Sequence, residues 1–310
     1  MRMPPQQSRL SGGRLHLHDG PIDLIIRPWG EADAVEIAYA AAYRRFATIL
    51  DELCIELALL RCQATPTSAR PSGVVARRMA DAVAPFCTTR FITPMAAVAA
   101  AVAEETLQAM TTAAPLQRAY VNNGGDIALH LLPDESFTIG MVDRPDLPNL
   151  IGSAVISGRD AIRGVATSGW RGRSFSLGIA DAVTILARSA AQADAAATLV
   201  ANAVDLPGHP AIARVPACSR DPQSDLGERL VTMAVGPLTR HDVVAALAAG
   251  LDEAERLRRD GLLEGAALQL GGQTVLCGVG EALRIDSPAP RIGTEAISPS
   301  RLRRTTVSAF

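Results

Sequence analysis

The sequence predicts an α+β protein, on three observations. Strand-like and helical stretches run in the order strands, helices, strands. The second half of the chain repeats that order loosely, without a sequence repeat of fixed period. Short turns bearing Asp-Gly, Asn-Gly-Gly or Gly-Gly separate consecutive strands, as hairpins require.

Residues 1–13, rich in Pro, Gln, Ser and Gly, read as a flexible leader. Residues 14–30 give two short strands around Asp19-Gly20. From Glu31 to about Gln63, Val35, Ala38, Ala42, Phe46, Ile49, Leu50, Leu53 and Leu57 recur at spacings that mark one face of a long helix. Pro66 and Pro71 then break the chain. A second helix covers 73–84. A third opens near Pro94, whose missing N–H has no partner in a first helical turn. RAYVN, DIALHLL and SFTIGMV alternate as strands. In the second half IGSAVISG, AIRGVATSG and ADAVTILA are extended, and ARSAAQADAAATLVANAV contains a helix. RLVTMAV is a short strand, Thr239 to Arg259 is helical, and GAALQLGGQTVLCG closes as a hairpin through Gly271-Gly272. Beyond Gly280 the chain is polar, with prolines and the basic RLRR, and residues 281–310 read as a loose tail.

The composition narrows the function classes. Over 310 residues, 48% hydrophobic and 20% charged content supplies a sizeable core. A net charge of -2 gives no electrostatic reason for nucleic acid or an anionic membrane as partner. Aromatics at 4% are too sparse for base-stacking platforms. Cys54, Cys62, Cys87, Cys218 and Cys277 are widely spaced with no CxxC, which fits free thiols in a reducing cytosol. No apolar stretch follows the first arginines, and Pro94 to Ala103 is too short to span a bilayer, so a cytoplasmic location without membrane partners is expected.

Three constellations could carry chemistry. Asn123-Gly124-Gly125-Asp126 lets backbone N–H groups approach a ligand closely, with Asn and Asp adding polar groups; by itself it is an ordinary tight hairpin. Thr167-Ser168-Gly169, followed by Trp170, Arg171, Arg173 and Ser174, offers hydroxyls, N–H groups and guanidinium groups for a phosphate, or else is a solvated loop. Asp194 and Thr198 are i and i+4 on a helix, hard oxygen donors suited to Mg²⁺, although Asp194 also suits a first helical turn. His16 and His18 share one strand face without a third ligand and read as solvated, as do Glu104, Glu105, Glu253 and Glu255 on their helices.

In order along the chain, PMAAVAAAVAEE (94–105), NNGGDIAL (122–129), ATSG (166–169), SLGIADAVTIL (176–186) and ADAAAT (193–198) resemble motifs of the FAD:protein FMN transferases, the ApbE family. They resemble more closely an uncharacterised family related to those enzymes. The likeness covers residues 90–205 best. It implies two T-fold-like halves with antiparallel sheets backed by helices, falling at about 14–145 and 150–280 within one domain. It also implies that Asp194 and Thr198 hold Mg²⁺, helped by a backbone carbonyl near Met95 to Ala97. Asn123, Gly124, Gly125, Asp126, Thr167, Ser168, Gly169 and Arg171 would contact a flavin such as FAD. The transferases also carry a His-Ile-x-Asp-Pro stretch after the TSG motif, and this chain has no histidine there. Three functions therefore stay open: Mg²⁺-dependent FMN transfer or FAD pyrophosphate cleavage, flavin or pterin binding without catalysis, and a self-assembling scaffold or homo-oligomer.

Overall fold

The computed structural model describes residues 3–142, 150–278, 283–285 and 306–308. The first half runs β1 (Gln6–Leu10), β2 (Arg14–Asp19), β3 (Ile22–Trp29), α1 (Ala32–Ile55), α2 (Leu57–Leu60), α3 (Val74–Val83), a 3₁₀ turn (Pro94–Ala97), α4 (Val98–Ala113), β4 (Arg118–Asn123) and β5 (Asp126–Leu131). A hairpin of β6 (Ser136–Val142) and β7 (Leu150–Ser157) follows. The second half runs β8 (Gly164–Ser168), β9 (Ala182–Ala187), α5 (Ala190–Ala203), β10 (Ile212–Pro216), β11 (Leu230–Val235), α6 (Arg240–Arg259), β12 (Gly265–Leu270) and β13 (Gln273–Gly278). Two short strands, β14 (Leu283–Ile285) and β15 (Thr306–Ser308), lie beyond.

Nine strands form one antiparallel sheet in the order β1-β2-β3-β4-β5-β8-β9-β12-β13. Within it each half is a β-β-α-α-β-β unit: β2-β3 and β4-β5 flank α1 and α4, and β8-β9 and β12-β13 flank α5 and α6. The two units meet at β5–β8, where the ladder holds only Ile127↔Val165 and Ala128↔Gly164. This is the α+β, helix-backed antiparallel arrangement that the motifs imply, with the sheets of both halves merged into one.

Alternation assigns each face. Leu15, Leu17, Leu24, Ile26, Val121, Ala128, Ala166, Val183 and Ile185 point to the helices. Tyr120, Ile127, Leu129, Val165 and Leu186 point the other way, onto Phe137, Ile139 and Ile156 of the β6–β7 hairpin. With both faces covered, β4 and β9 are buried along their whole length. Alanine lets the helix layer lie close to the sheet. In α5, Ala190, Ala191, Ala193, Ala195, Ala196 and Ala197 are all buried. Glycine completes the fit: a Cβ at Gly164 would overlap the Ala190 backbone, and one at Gly178 the Ala201 carbonyl.

Several expectations need correction. The leader is not wholly flexible. Gln6–Leu10 pairs with β2 as an edge strand across a Gly12-Gly13 turn with positive φ. Its side chains are mostly exposed, so it has no apolar alternation to reveal it. The tail is not wholly loose either: β14 pairs with β7 and β15 with β6, while the rest of 281–310 lies outside the described residues. The strand β10 was not anticipated, since Pro216 interrupts its pattern; it pairs with β11 as a separate ribbon. Helix α5 starts at Ala190 with Ser189 as its N-cap, so Asp194 stands beyond the first turn rather than in it. Among the described residues, no helix is long and apolar enough to cross a membrane.

Candidate functional site

Beside the short β5–β8 ladder, on the helix side of the sheet, the glycine turn and the facing stretches of α4 and α5 frame a partly exposed cleft. Asp126 is the first residue of β5, one step past the last seam pair, and its Oδ1 accepts the Thr167 N–H at 3.2 Å. A carboxylate thus stands where the next ladder carbonyl would otherwise sit, and the two halves splay around it. Across the cleft, Asp194 extends from α5, and its Oδ2 accepts the Ala100 N–H in the first turn of α4 at 3.3 Å. Two carboxylates from opposite halves of the chain therefore face one another.

The glycine turn is held by its own asparagines. The Gly125 N–H donates to Asn122 Oδ1 at 2.9 Å. Asn123 Nδ2 donates to the Ala99 carbonyl at 2.9 Å, tying the turn to the start of α4, and its Oδ1 accepts the Asp23 N–H at 3.4 Å. Gly124 (φ 63°) and Gly125 (φ 113°) sit in the left-handed region that a side chain disfavours. The Arg173 guanidinium lies directly over Gly124, in the space a Cβ would take.

The charge balance of the cleft is unusual. Desolvation is the main cause that pushes Asp126 up to about 7, against the opposing Thr167 hydrogen bond and the Arg173 charge. Desolvation also holds Asp194 well above the usual carboxylate range, and repulsion from Asp126 adds to it; the Ala100 N–H works against both. Both residues keep partial exposure, while their carboxyl groups lie deep enough for desolvation to dominate. Close like charges of this kind either share a proton or take up a cation.

The sequence-derived residues divide into three groups. Asn123, Gly124, Gly125, Asp126 and Asp194 come together at the cleft, with Thr198 one helical turn beyond Asp194 and partly open to solvent. Thr167 contributes its backbone only, because its hydroxyl is turned to Thr184 Oγ1, 3.0 Å away on the opposite face of the sheet. Strand alternation instead puts Ser168 on the helix side. The third group stands behind the cleft. Gly169 packs against the Ala180 and Asp181 carbonyls with no room for a Cβ. Arg171 is committed to Asp181 through Nε at 2.7 Å and stacks on Trp170. Asp181 is further bound by Gly271 N–H at 2.8 Å, so Arg171 is a strut of the loop, and Arg173 is the guanidinium at Asp126.

Three further groups went unread in the sequence as functional or structural polar residues. Glu104 is not a solvated face. Burial, the chief cause, raises its pKa, while its carboxylate accepts the Ala190 and Ala191 N–H groups at 3.2 and 3.3 Å and so caps α5. Glu105 is buried between Arg45 and Arg78, and Glu253 between Arg90 and Arg256. Glu105 takes its arginines from α1 and α3, whereas Glu253 is held by Arg256 one turn along its own helix and by Arg90 from the loop after α3. His16 and His18 do gain a third potential ligand, Asp23.

A family model described as AbpE bacteria matches residues 6–276. UPF0280 proteins of Methanosarcina acetivorans and Methanopyrus kandleri are 40% and 37% identical over 134 residues, 43% and 41% of this chain and 49% and 48% of theirs. The chain spans about half the length of the curated relatives it matches. Among solved structures, the apo flavinyl transferase ApbE of Pseudomonas stutzeri superposes with a TM-score of 0.41 at 12% identity, over 89% of this chain and 95% of that one. Because the family model extends across both β-β-α-α-β-β units and every residue of the cleft, this chain belongs to the AbpE bacteria family.

Proposed function

We propose that the cleft binds a flavin nucleotide such as FAD through a divalent cation, Mg²⁺ in the first instance. One observation carries the reading: Asp126 and Asp194, from different halves of the chain, meet with raised pKa values at a partly exposed cleft. A bound cation relieves their repulsion and their desolvation together. The donor set fits the ion. Two carboxylates and the Thr198 hydroxyl are hard oxygens, and Mg²⁺ fills the remainder of its shell from water and phosphate oxygens. Bound there, the cation would neutralise charge on a pyrophosphate. Asp194 and Thr198 would hold it from α5, with Asp126 opposite. Arg173, exposed and poised over Gly124, would reach a phosphate from the other side. Asn123, Gly124, Gly125 and Ser168 would line the ligand's path, while Thr167 fixes Asp126, and Gly169 and Arg171 shape the loop behind.

The family supplies the flavin part of this reading, and the cleft supplies the cation part. Binding followed by cleavage is the first form of the proposal; binding without chemistry is the second, favoured by the lack of a histidine after Ser168-Gly169. Incubation with FAD and Mg²⁺, followed by chromatography, separates them. Release of AMP and FMN supports cleavage. FAD recovered intact but bound to the protein supports the second form. FAD neither bound nor cleaved overturns both.

A further inference from the structure

We infer that the β2–β3 hairpin carries a second metal site, for a borderline-soft divalent cation of the Zn²⁺ class, built from His16, His18 and Asp23. The three offer ligand atoms that all lie within 4.8 Å of one another. His16 Nε2 is 3.0 Å from Asp23 Oδ1, and His18 Nδ1 is 3.6 Å from Asp23 Oδ2. In a tetrahedral zinc shell with bonds of about 2.0–2.1 Å, neighbouring ligand atoms stand about 3.3 Å apart. The hairpin therefore presents its ligands close to that spacing, and small ring rotations complete it.

The sequence and register explain the grouping. Residues i and i+2 of a strand share a face, so His16 and His18 point together, away from the core side taken by Leu15 and Leu17. Across the ladder Asp23 is the direct partner of His18, and its neighbours Ile22 and Leu24 face the core. All three ligands thus stand on the outer face, on two strands locked by a tight turn.

A second observation singles the group out from an ordinary solvated strand face. His18 Nδ1 is shielded from solvent and has no hydrogen-bond partner among the described residues, its approach to Asp23 at 3.6 Å being longer than a hydrogen bond. Two imidazoles beside one carboxylate are a donor set for Zn²⁺ rather than for Mg²⁺. Three protein ligands leave one position to water. The site is separate from the cleft: Asp126 and Asp194 lie on the helix side, the hairpin ligands on the other. The two are linked through the Asp23 N–H on Asn123 Oδ1 and through the β3–β4 ladder, where Leu24 pairs with Asn123.

The test is a competition titration of Zn²⁺ between tag-free protein and a chromophoric chelator, for the wild type and for His16→Gln, His18→Gln, Asp23→Asn and Asp194→Asn. The expected result is one equivalent bound by the wild type and by Asp194→Asn. Each hairpin variant should bind more than about a hundredfold more weakly, beyond what loss of an outer hydrogen-bond partner alone costs. Zn²⁺ should also raise the melting temperature of the wild type and not of the histidine variants, which guards against misfolding as the cause. No Zn²⁺ bound by the wild type, or unchanged binding in both histidine variants, overturns the inference. Loss of binding in Asp194→Asn alone would place the ion in the cleft and overturn it equally.

Discussion

Replacing Asp126 by Asn should make the metal-free protein more stable at pH 8, with little change at acid pH. Asn keeps an oxygen to accept the Thr167 N–H, so the substitution removes the charge and little else. The sign follows from the titration. The carboxyl rises from 3.8 in the unfolded chain to about 7 in the cleft. Between those values the native state holds a proton that the unfolded chain has lost, so stability falls as pH rises through that window and levels off above it. A rise from 3.8 to about 7, at 1.36 kcal/mol per pKa unit, sets a ceiling of about 4 kcal/mol. Solvent at the open side of the cleft screens part of it, and about 2 kcal/mol is the working figure. At roughly 2–4 °C per kcal/mol for a chain of this size, the variant should melt about 4–8 °C above the wild type at pH 8. The assay is a series of thermal melts in EDTA from pH 4 to 8.5, read as the difference between variant and wild type. A difference that is flat with pH, or that shrinks towards pH 8, refutes the electrostatic account of the cleft.

Four other substitutions probe the scaffold and the division of labour between the two arginines. Gly164→Ala forces a Cβ into the Ala190 backbone and should cost about 3 kcal/mol or more, seen as a lowered urea midpoint; a loss under 1 kcal/mol would mean that α5 does not press on β8 as described. Thr239→Ala removes one half of the capping box on α6 and should cost about 1 kcal/mol by the same measurement. Arg173→Ala should weaken binding of an anionic nucleotide while leaving the melting temperature near that of the wild type. Arg171→Ala, which breaks the Asp181 contact, should do the opposite first, lowering the melting temperature.

The elements were legible because their signals are local. The spacing of Ala38, Ala42, Phe46, Ile49 and Leu53 that predicts α1 is the spacing of its buried face. The alternation in the strands, Asp19-Gly20 and Gly271-Gly272 likewise located both hairpins. Parts of the candidate site were legible through motifs, which single out Asn123 to Asp126, Asp194 and Thr198, residues the fold gathers at or beside the cleft. What escaped was set by partners distant in sequence. The encounter of Asp126 with Asp194 depends on the β5–β8 seam, which no single segment encodes. Nothing in Arg171 and Arg173 themselves tells which one Asp181 will take. Glu104 and Glu105 look solvated until α3, α5 and Arg45 are packed around them. Asp23 becomes a neighbour of His16 and His18 only through the register of the hairpin. The polar strand β1 shows the limit of pattern reading: its pairing is made by the backbone, and its side chains carry little sign of it.

The central claim is that Asp126 and Asp194 together receive a cation that in turn receives the nucleotide. The most direct measurement is a fluorescence titration of FAD with protein at pH 7.5, in Mg²⁺ and in EDTA, for the wild type and for Asp194→Asn. A cation held between Asp126 and Asp194 predicts saturable binding by the wild type that EDTA abolishes, and no Mg²⁺-dependent binding by the variant. Equal FAD affinity with and without Mg²⁺, or an Asp194→Asn protein that still responds fully to the ion, would contradict it.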